Sequence, residues 1–273
     1  MPAVLDLMIE GALVLDGTGA PAYAADVGVD AGAIVAIDRE APRGRVAART
    51  VPASGRALAP GFVDVHTHSD LCPLVDADMA SSLRQGVTTA IVGNCGSSPW
   101  PIAGFAGCAQ MAGAGADVLA PTLGSFGDYL DRIEAAVPAV NVAALVGHGA
   151  IRAEVMGSAR RPPTGKELDR MRGLVAAAMN DGALGLSTGL IYVPGMHAAT
   201  GEVVSLAVVA GRARGLYASH IRGEGAHLFR AVDEAIGDRP AGRDPRARQP
   251  PEVRDLLRVG PCARAARADP WRA

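Results

Sequence analysis

Two histidines separated by one residue end a short apolar segment and are the strongest chemical feature of the sequence. The segment, Gly61 to Asp70, reads Gly-Phe-Val-Asp-Val-His-Thr-His-Ser-Asp. In a strand, residues two apart share a face, so Asp64, His66 and His68 are predicted to point to the same side. Two imidazoles at the carboxyl end of a buried strand can bind one metal ion. We therefore predict that His66 and His68 are metal ligands, and a core strand with two hydrogen-bonded histidines is the alternative.

Two further residues have types and positions that suit the same metal. Cys95 follows a predicted strand directly, between Asn94 and Gly96, and His220 lies near the end of another strand. Thiolate ligation favours zinc over magnesium or calcium. Each residue also has an ordinary explanation, since most isolated cysteines are small buried hydrophobic residues and a strand-end histidine can bond a backbone carbonyl. Three strand-end histidines and one cysteine nevertheless fit one convergent site.

The elements that position these residues begin at about residue 59, where strands alternate with helices in the manner of parallel βαβ units. The predicted strands are Gly61–His68, Thr88–Gly93, Asn141–Gly147, Leu184–Leu190 and Leu216–Ile221. The predicted helices are Met79–Gln85, Ser125–Ala136, Thr164–Asp181, Glu202–Arg214 and Glu224–Ile236. Capping boxes mark the second and third helices, at Ser125 and Thr164. Residues 96–124 are predicted to form a loop.

Three regions of different composition follow from this pattern. Residues 1–58 hold short apolar runs separated by glycine and aspartate turns, which indicates a small β domain. Residues 59–236 hold the alternation of strands and helices. Residues 237–273 are rich in arginine and proline and have almost no apolar period. A basic tail usually is solvated or binds nucleic acid, but we favour an irregular tail read outside the ancestral frame, with a partner-binding module as a further alternative.

The overall composition excludes several classes of function. The chain of 273 residues has a net charge of −2, which gives no electrostatic basis for binding nucleic acid or an anionic membrane surface. No signal sequence and no apolar run of membrane-spanning length is visible. The four cysteines lack paired Cys-x-x-Cys spacing. This pattern favours a reduced, cytoplasmic protein.

Five segments together resemble one known family. They are residues 59–70, residues 86–96, Gly147-His148-Gly149, residues 185–190 with 192–195, and Ser219-His220-Ile221-Arg222. Over about residues 4–236 the chain is similar to the amidohydrolase superfamily and, within it, to the N-acyl-D-amino-acid deacylases, or D-aminoacylases. The first segment is general to the superfamily. The Gly-Asn-Cys-Gly and Ser-His-Ile-Arg segments are much more specific to the deacylase branch.

The resemblance implies a (β/α)8 TIM-type barrel with a small β domain built from both chain ends. This chain is then expected to be an α/β protein, with an N-terminal β-sandwich-like half-domain and a partial barrel of about five βα units. Such barrels carry a further zinc-binding histidine on the sixth strand and a general-base aspartate on the eighth. Both residues are expected to lie outside the five predicted strands, so the chain is expected to be catalytically incomplete.

The resemblance also implies zinc as the cofactor and assigns the candidate ligands to two positions. Cys95 and His220 would bind the tight zinc, and His66 and His68 would belong to a weaker second position. The residues expected to contact the substrate or to support the ligands are Asp64, His148, Tyr192 and Arg222.

The implied reaction is zinc-dependent hydrolysis of N-acyl-D-amino acids, which are small molecules. Zinc lowers the pKa of its bound water and polarises the carbonyl. A non-catalytic remnant or metal-binding fragment is the first alternative, and another cyclic-amide or dipeptide amidohydrolase is the second. The hydantoinase branch is disfavoured because it bridges two metals with a carboxylated lysine at a strand end. The only lysine here, Lys166, lies in the first turn of a predicted helix.

Overall fold

The computed structural model describes residues 4–39, 45–112 and 123–237, and within them the chain divides into two units between Gly61 and Phe62. The first unit is a five-stranded sheet, formed by β1 (Leu5–Val14), β2 (Tyr23–Asp30), β3 (Ala33–Asp38), β4 (Ala47–Pro52) and β5 (Ala57–Leu58). β2 pairs antiparallel with β1 and β3, whereas β4 and β5 run parallel to β1. Its core consists of small side chains, namely Ala12, Val14, Ala25, Val27 and Ala53.

The second unit contains a sheet of five parallel strands. They are β6 (Phe62–Asp64), β7 (Val87–Val92), β8 (Asn141–Gly147), β9 (Gly185–Gly189) and β10 (Leu216–His220). The strands are neighbours in chain order, from β6 to β10, and each pair is parallel. Sequential parallel strands joined by helical crossovers are the arrangement found in the first part of a (β/α)8 barrel. The predicted α/β class and its five βα units are therefore confirmed.

The helices of the second unit cover this sheet. They are α1 (Cys72–Val75), α2 (Ala80–Leu83), α3 (Phe105–Ala112), α4 (Phe126–Ala136), α5 (His148–Met156), α6 (Gly165–Asp181), α7 (Thr200–Arg212) and α8 (Leu228–Ile236). Both predicted capping boxes are present, at Ser125 with Asp128 and at Thr164 with Glu167. Within the described part of the chain, no helix is both long and apolar enough to cross a membrane.

The core of the second unit lies between these helices and the sheet. In α6, the buried residues Met171, Val175 and Ala178 recur at helical spacing and form one apolar stripe. They belong to the same buried cluster as Phe126 of α4 and Leu206 of α7. Burial of such side chains contributes about 25 cal/mol per Å² of apolar area removed from water. This core fixes the strand ends that carry the candidate ligands.

The first barrel strand differs from its prediction. Regular pairing ends at Asp64, so His66 and His68 lie in the irregular segment that follows β6, with a bend at His66, rather than inside a strand reaching His68. Phe62 and Val63 are 66% and 55% exposed, whereas a buried strand was predicted. The reason is that β6 pairs only with β7 among the described residues, which leaves its other edge open.

The sequence pattern also misses three helices. The short α1 follows the histidine segment, α3 lies inside residues 96–124, which were predicted to be a loop, and α5 begins directly at the end of β8. Neither α1 nor α5 has a capping side-chain hydrogen bond at its start, so the usual start signal is absent there. Residues 113–122 and 238–273, which include nearly all of the predicted tail, lie outside the described residues.

A buried polar group joins α5 to α7. Nε2 of His148 lies 2.9 Å from Oε1 of Glu202, and Arg152 donates to the other carboxylate oxygen. All three side chains are almost completely buried. Burial alone raises the pKa of Glu202, but the hydrogen bonds from His148 and Arg152 outweigh it and hold that pKa below its ordinary value. Arg152 also donates to the carbonyls of Ala159 and Arg161, so the group fixes the connection from α5 to α6.

Replacing Glu202 by glutamine is expected to lower the free energy of unfolding by about 3 kcal/mol, because Arg152 becomes a buried charge without a counter-ion. The contribution of ionised Glu202 is complete above the ordinary carboxyl pKa of about 4.3. It is lost as pH falls through the lowered folded-state pKa. Urea unfolding at neutral and acidic pH should therefore show the difference from the wild type shrinking in acid. The matched control is Glu154→Gln, which removes a partly exposed pair with Arg170 and should cost less than about 1 kcal/mol. Equal losses in both variants would contradict the buried ion pair.

Candidate metal centre

The four predicted ligands lie together at the carboxyl ends of parallel strands. His66 and His68 follow β6, Cys95 follows β7, and His220 is the last residue of β10. Nε2 of His66 lies 3.2 Å from Sγ of Cys95, and Nδ1 of His220 lies 3.6 Å from the same sulfur. The ligand atoms of His66, His68 and Cys95 all lie within 4.8 Å of one another. Cys95 is therefore the residue that contacts both the paired histidines and His220.

These separations fit a tetrahedral metal ion. Bond lengths of about 2.3 Å for Zn–S and about 2.0 Å for Zn–N, at a tetrahedral angle, place sulfur and nitrogen about 3.5 Å apart. The two sulfur–nitrogen distances at Cys95, 3.2 and 3.6 Å, bracket that value. Nδ1 of His68 is buried and has no hydrogen-bond partner, and buried polar atoms of this kind normally have one. A set of imidazole and thiolate donors suits zinc.

The histidine segment is held to β7 by backbone contacts. The amide of Thr67, between the two histidines, donates to the carbonyl of Ile91 at 3.3 Å. The buried side chain of Asn94 donates to Ile91 at 2.8 Å and to the carbonyl of Thr67 at 3.4 Å. Asp64 accepts from the backbone amide of His66 at 3.1 Å. These bonds hold the segment that carries His66 and His68 against the end of β7.

Cys95 lies in a tight turn that requires glycine at two nearby positions. Its own φ is +55°, and the φ of Gly93 is +79°, a region that non-glycine residues rarely adopt. A Cβ at Gly93 would overlap the carbonyl of Leu145 in β8, and one at Gly189 would overlap the carbonyl of Cys95 itself. The turn therefore packs directly on the backbones of β8 and β9. Strained backbone of this kind persists where contacts with the surrounding structure hold it in place.

Two buried side chains from other segments fix the backbone on both sides of Cys95. The hydroxyl of Ser187, in β9, donates to the carbonyl of Gly93 and accepts from the amide of Gly96 at 3.0 Å. The carboxylate of Asp70 accepts from the amide of Gly93 at 2.7 Å. These bonds close the turn from both ends, so Ser187 and Asp70 hold the backbone on either side of Cys95.

The ionisation of the site is also compatible with metal binding. Burial, and to a lesser extent His66 and His220, lowers the pKa of His68, which favours the neutral imidazole that a metal requires. Burial and then the charge of Asp70 raise the pKa of the Cys95 thiol, so this residue gives up a proton when it binds a metal. Burial raises the pKa of Asp70 to about 7, although its hydrogen bond to Gly93 acts in the opposite direction.

The structure places the other predicted residues at different distances from the ligands. Tyr192 is adjacent, since its hydroxyl lies 3.3 Å from Nδ1 of His220. Asp64 contacts only the backbone of His66 among its described hydrogen bonds. His148 is fully buried against Glu202, and Arg222 is paired with Glu234.

Sequence reasoning missed several residues that support the ligands. Asp70 and Ser187 carry no motif signal beyond their place within the segments of family resemblance. Glu224 was also missed, although it lies four residues after His220. Its Oε1 is 3.2 Å from Nε2 of His220, within ion-pair distance but outside hydrogen-bond geometry. The contacts of Asp70 and Ser187 join residues far apart in the chain, which one sequence does not reveal.

The family model described as the amidohydrolase family matches residues 49–251, and the chain therefore belongs to that family. The chain is 39% identical over 236 residues to D-aminoacylase of Alcaligenes xylosoxydans xylosoxydans, a match that covers 85% of this chain and 47% of that protein. It is 41% identical over 243 residues to N-acyl-D-glutamate deacylase of the same organism, covering 86% of this chain and 48% of that protein. The predicted resemblance to the D-aminoacylases is confirmed.

A solved structure gives the same result. N-acyl-D-glutamate deacylase from Bordetella bronchiseptica, in complex with zinc and a phosphonate inhibitor that mimics the tetrahedral intermediate, superposes with a TM-score of 0.78 at 39% identity. The match covers 86% of this chain and 49% of that chain. The chain thus spans about half the length of the relatives it matches, and its fold is that of a partial amidohydrolase barrel.

Replacing Ser187 by alanine is expected to loosen the Cys95 turn, because the amide of Gly96 and the carbonyl of Gly93 both lose a buried partner. We expect unfolding to become easier by about 1–3 kcal/mol and zinc affinity to fall by about tenfold or more. Competition with a chromophoric chelator measures the affinity. Ser205→Ala is the matched control, since that hydroxyl accepts from Arg172 in an exposed contact. Unchanged zinc affinity in Ser187→Ala would show that the turn does not need this hydroxyl.

Proposed function

We propose that this chain is a zinc-dependent amidohydrolase of N-acyl-D-amino acids and that the described residues supply the metal-binding part of its site. The observation that carries the proposal is the contact of Cys95 with His66 at 3.2 Å and with His220 at 3.6 Å, at the ends of parallel strands. Membership of the amidohydrolase family supports the reaction class. The names of the similar proteins support the substrate class.

The ligand set explains how the chain would hold its metal. Cys95 and His220 form one pair, His66 and His68 form another, and the sulfur lies close enough to serve both. A bound zinc ion would supply Lewis acidity and a water of lowered pKa. The bonds from Ser187 and Asp70 to the Cys95 turn keep the sulfur in place, and such supporting contacts are needed for tight metal binding.

The connection after β9 offers a surface for the apolar part of the substrate. Tyr192 is 48% exposed beside His220, and its neighbours Val193 and Met196 are 60% and 45% exposed. We infer that this surface contacts the acyl group or the D-side chain. Arg222 is already paired with Glu234, so the substrate carboxylate is expected to bind elsewhere. The general base is still expected to be an aspartate beyond the fifth strand, as the family resemblance implies.

The experiment combines zinc content with stereospecific hydrolysis. Zinc per chain is measured after dialysis for the wild type, for Cys95→Ala and for the control Cys72→Ala, whose sulfur lies in α1. The same samples are assayed with N-acetyl-D-methionine, N-acetyl-D-glutamate and their L-isomers. We expect the wild type and Cys72→Ala to retain zinc and Cys95→Ala to lose it. Any hydrolysis is expected to require zinc and the D-isomer.

Each outcome separates one part of the proposal from the rest. Equal zinc retention in the wild type and Cys95→Ala would overturn the metal assignment. Equal rates with the two enantiomers would overturn the substrate class. Retained zinc without hydrolysis would favour the alternative in which this chain binds the metal but does not complete the catalytic site.

A further inference from the structure

Arg222 lies two residues after the candidate ligand His220 and is the centre of a polar network. Its Nε and one terminal nitrogen donate to the two carboxylate oxygens of Glu234 in α8, each at 2.9 Å. Its other terminal nitrogen donates to the carbonyl of Met196 at 3.2 Å. Thr200, the first residue of α7, donates to the same carboxylate at 2.7 Å. Every nitrogen of the guanidinium is therefore engaged within the chain.

This network ends on the connection between β9 and α7, residues 190–199. The backbone amide of Met196, whose carbonyl Arg222 binds, donates to the carbonyl of Tyr192 at 2.7 Å. The connection starts with a bond from the amide of Leu190 to the carbonyl of His220 at 2.9 Å. Both ends of the segment that carries Tyr192 are therefore tied to the end of β10.

Tyr192 in turn contacts the imidazole of His220. The hydroxyl lies 3.3 Å from Nδ1, which is the nitrogen that faces Cys95. The two rings also meet edge to face, with centroids 4.9 Å apart and an angle of 71° between their planes. The path from His220 through Arg222, Met196 and Tyr192 thus returns to His220. Such a closed path limits how far the imidazole can turn.

We infer that Arg222 and Glu234 are positioning residues of the metal centre, because they hold the 190–199 connection so that Tyr192 orients His220 toward Cys95. This inference rests on the proposed metal-binding function. A bidentate Arg–carboxylate pair suits such a task, since its planar geometry fixes direction as well as distance. The pair is also neutral overall, so it adds no net charge beside the ligands.

A purely structural role for the pair would make a different prediction. In that case, loss of the Glu234 carboxylate would lower stability but leave the affinity and geometry of metal binding unchanged. A positioning role predicts a change in both metal properties, because the orientation of His220 depends on the connection. The absorption of a cobalt-substituted site reports this geometry directly, since thiolate coordination by Cys95 gives a charge-transfer band.

The test measures zinc affinity of the full chain by chelator competition and records the cobalt spectrum of the same variants. Glu234→Gln is expected to weaken zinc binding by about tenfold or more and to reduce the thiolate-to-cobalt band. The matched control is Glu154→Gln, which breaks a partly exposed Arg–Glu pair on α5 and α6 and should change neither. In the double variant with Tyr192→Ala, which removes the ring that packs against His220, the combined loss should be smaller than the sum of the single losses, because both residues act through that ring contact.

The outcomes distinguish this inference from the function on which it rests. A wild-type chain that binds neither zinc nor cobalt would overturn both. Wild-type binding with equal affinity and spectrum in Glu234→Gln would overturn the positioning role alone. If Glu234→Gln does not fold, Thr200→Val removes one of the bonds to the Glu234 carboxylate. That variant should show a smaller loss of zinc affinity, and no loss would also overturn the positioning role.

Discussion

The candidate metal centre depends on how the backbone around Cys95 is held by side chains from other segments. The residue has a φ of +55°, and the turn that carries it packs against the backbones of β8 and β9. The hydroxyl of Ser187 bonds both flanking glycines, and Asp70 bonds one of them. Because these side chains come from separate segments, the turn has all of these bonds only when β9 is paired into the sheet.

The same parallel sheet brings the other candidate ligands together. In parallel strands all carboxyl ends lie at one edge, so residues far apart in the chain converge there. His66 and His68 are held beside β7 through Thr67 and Asn94, and His220 ends β10. The two sulfur–nitrogen distances near 3.5 Å suit a tetrahedral ion without further movement of Cys95.

Much of the fold could be predicted from the sequence, because local signals are strong where they occur. The capping boxes at Ser125 and Thr164 and the strand Asn141–Gly147 are confirmed. α5 could not be found, because it starts at glycines without a capping side chain. The prediction of a long, buried strand at β6 was wrong for another reason, because the burial of a strand depends on which strands flank it. The same reasoning predicted His66, His68, Cys95 and His220 as candidate ligands. It could not find Ser187 or Glu234, because their proposed supporting roles depend on long-range contacts.

X-ray absorption spectroscopy of the zinc-loaded wild-type chain tests the role of Cys95 most directly. We expect a first coordination sphere that includes one sulfur at about 2.3 Å, with nitrogen or oxygen atoms at about 2.0 Å. The sulfur contribution identifies Cys95 as a ligand when it vanishes in Cys95→Ala. A zinc spectrum with only nitrogen and oxygen neighbours in the wild type would contradict the central role of Cys95.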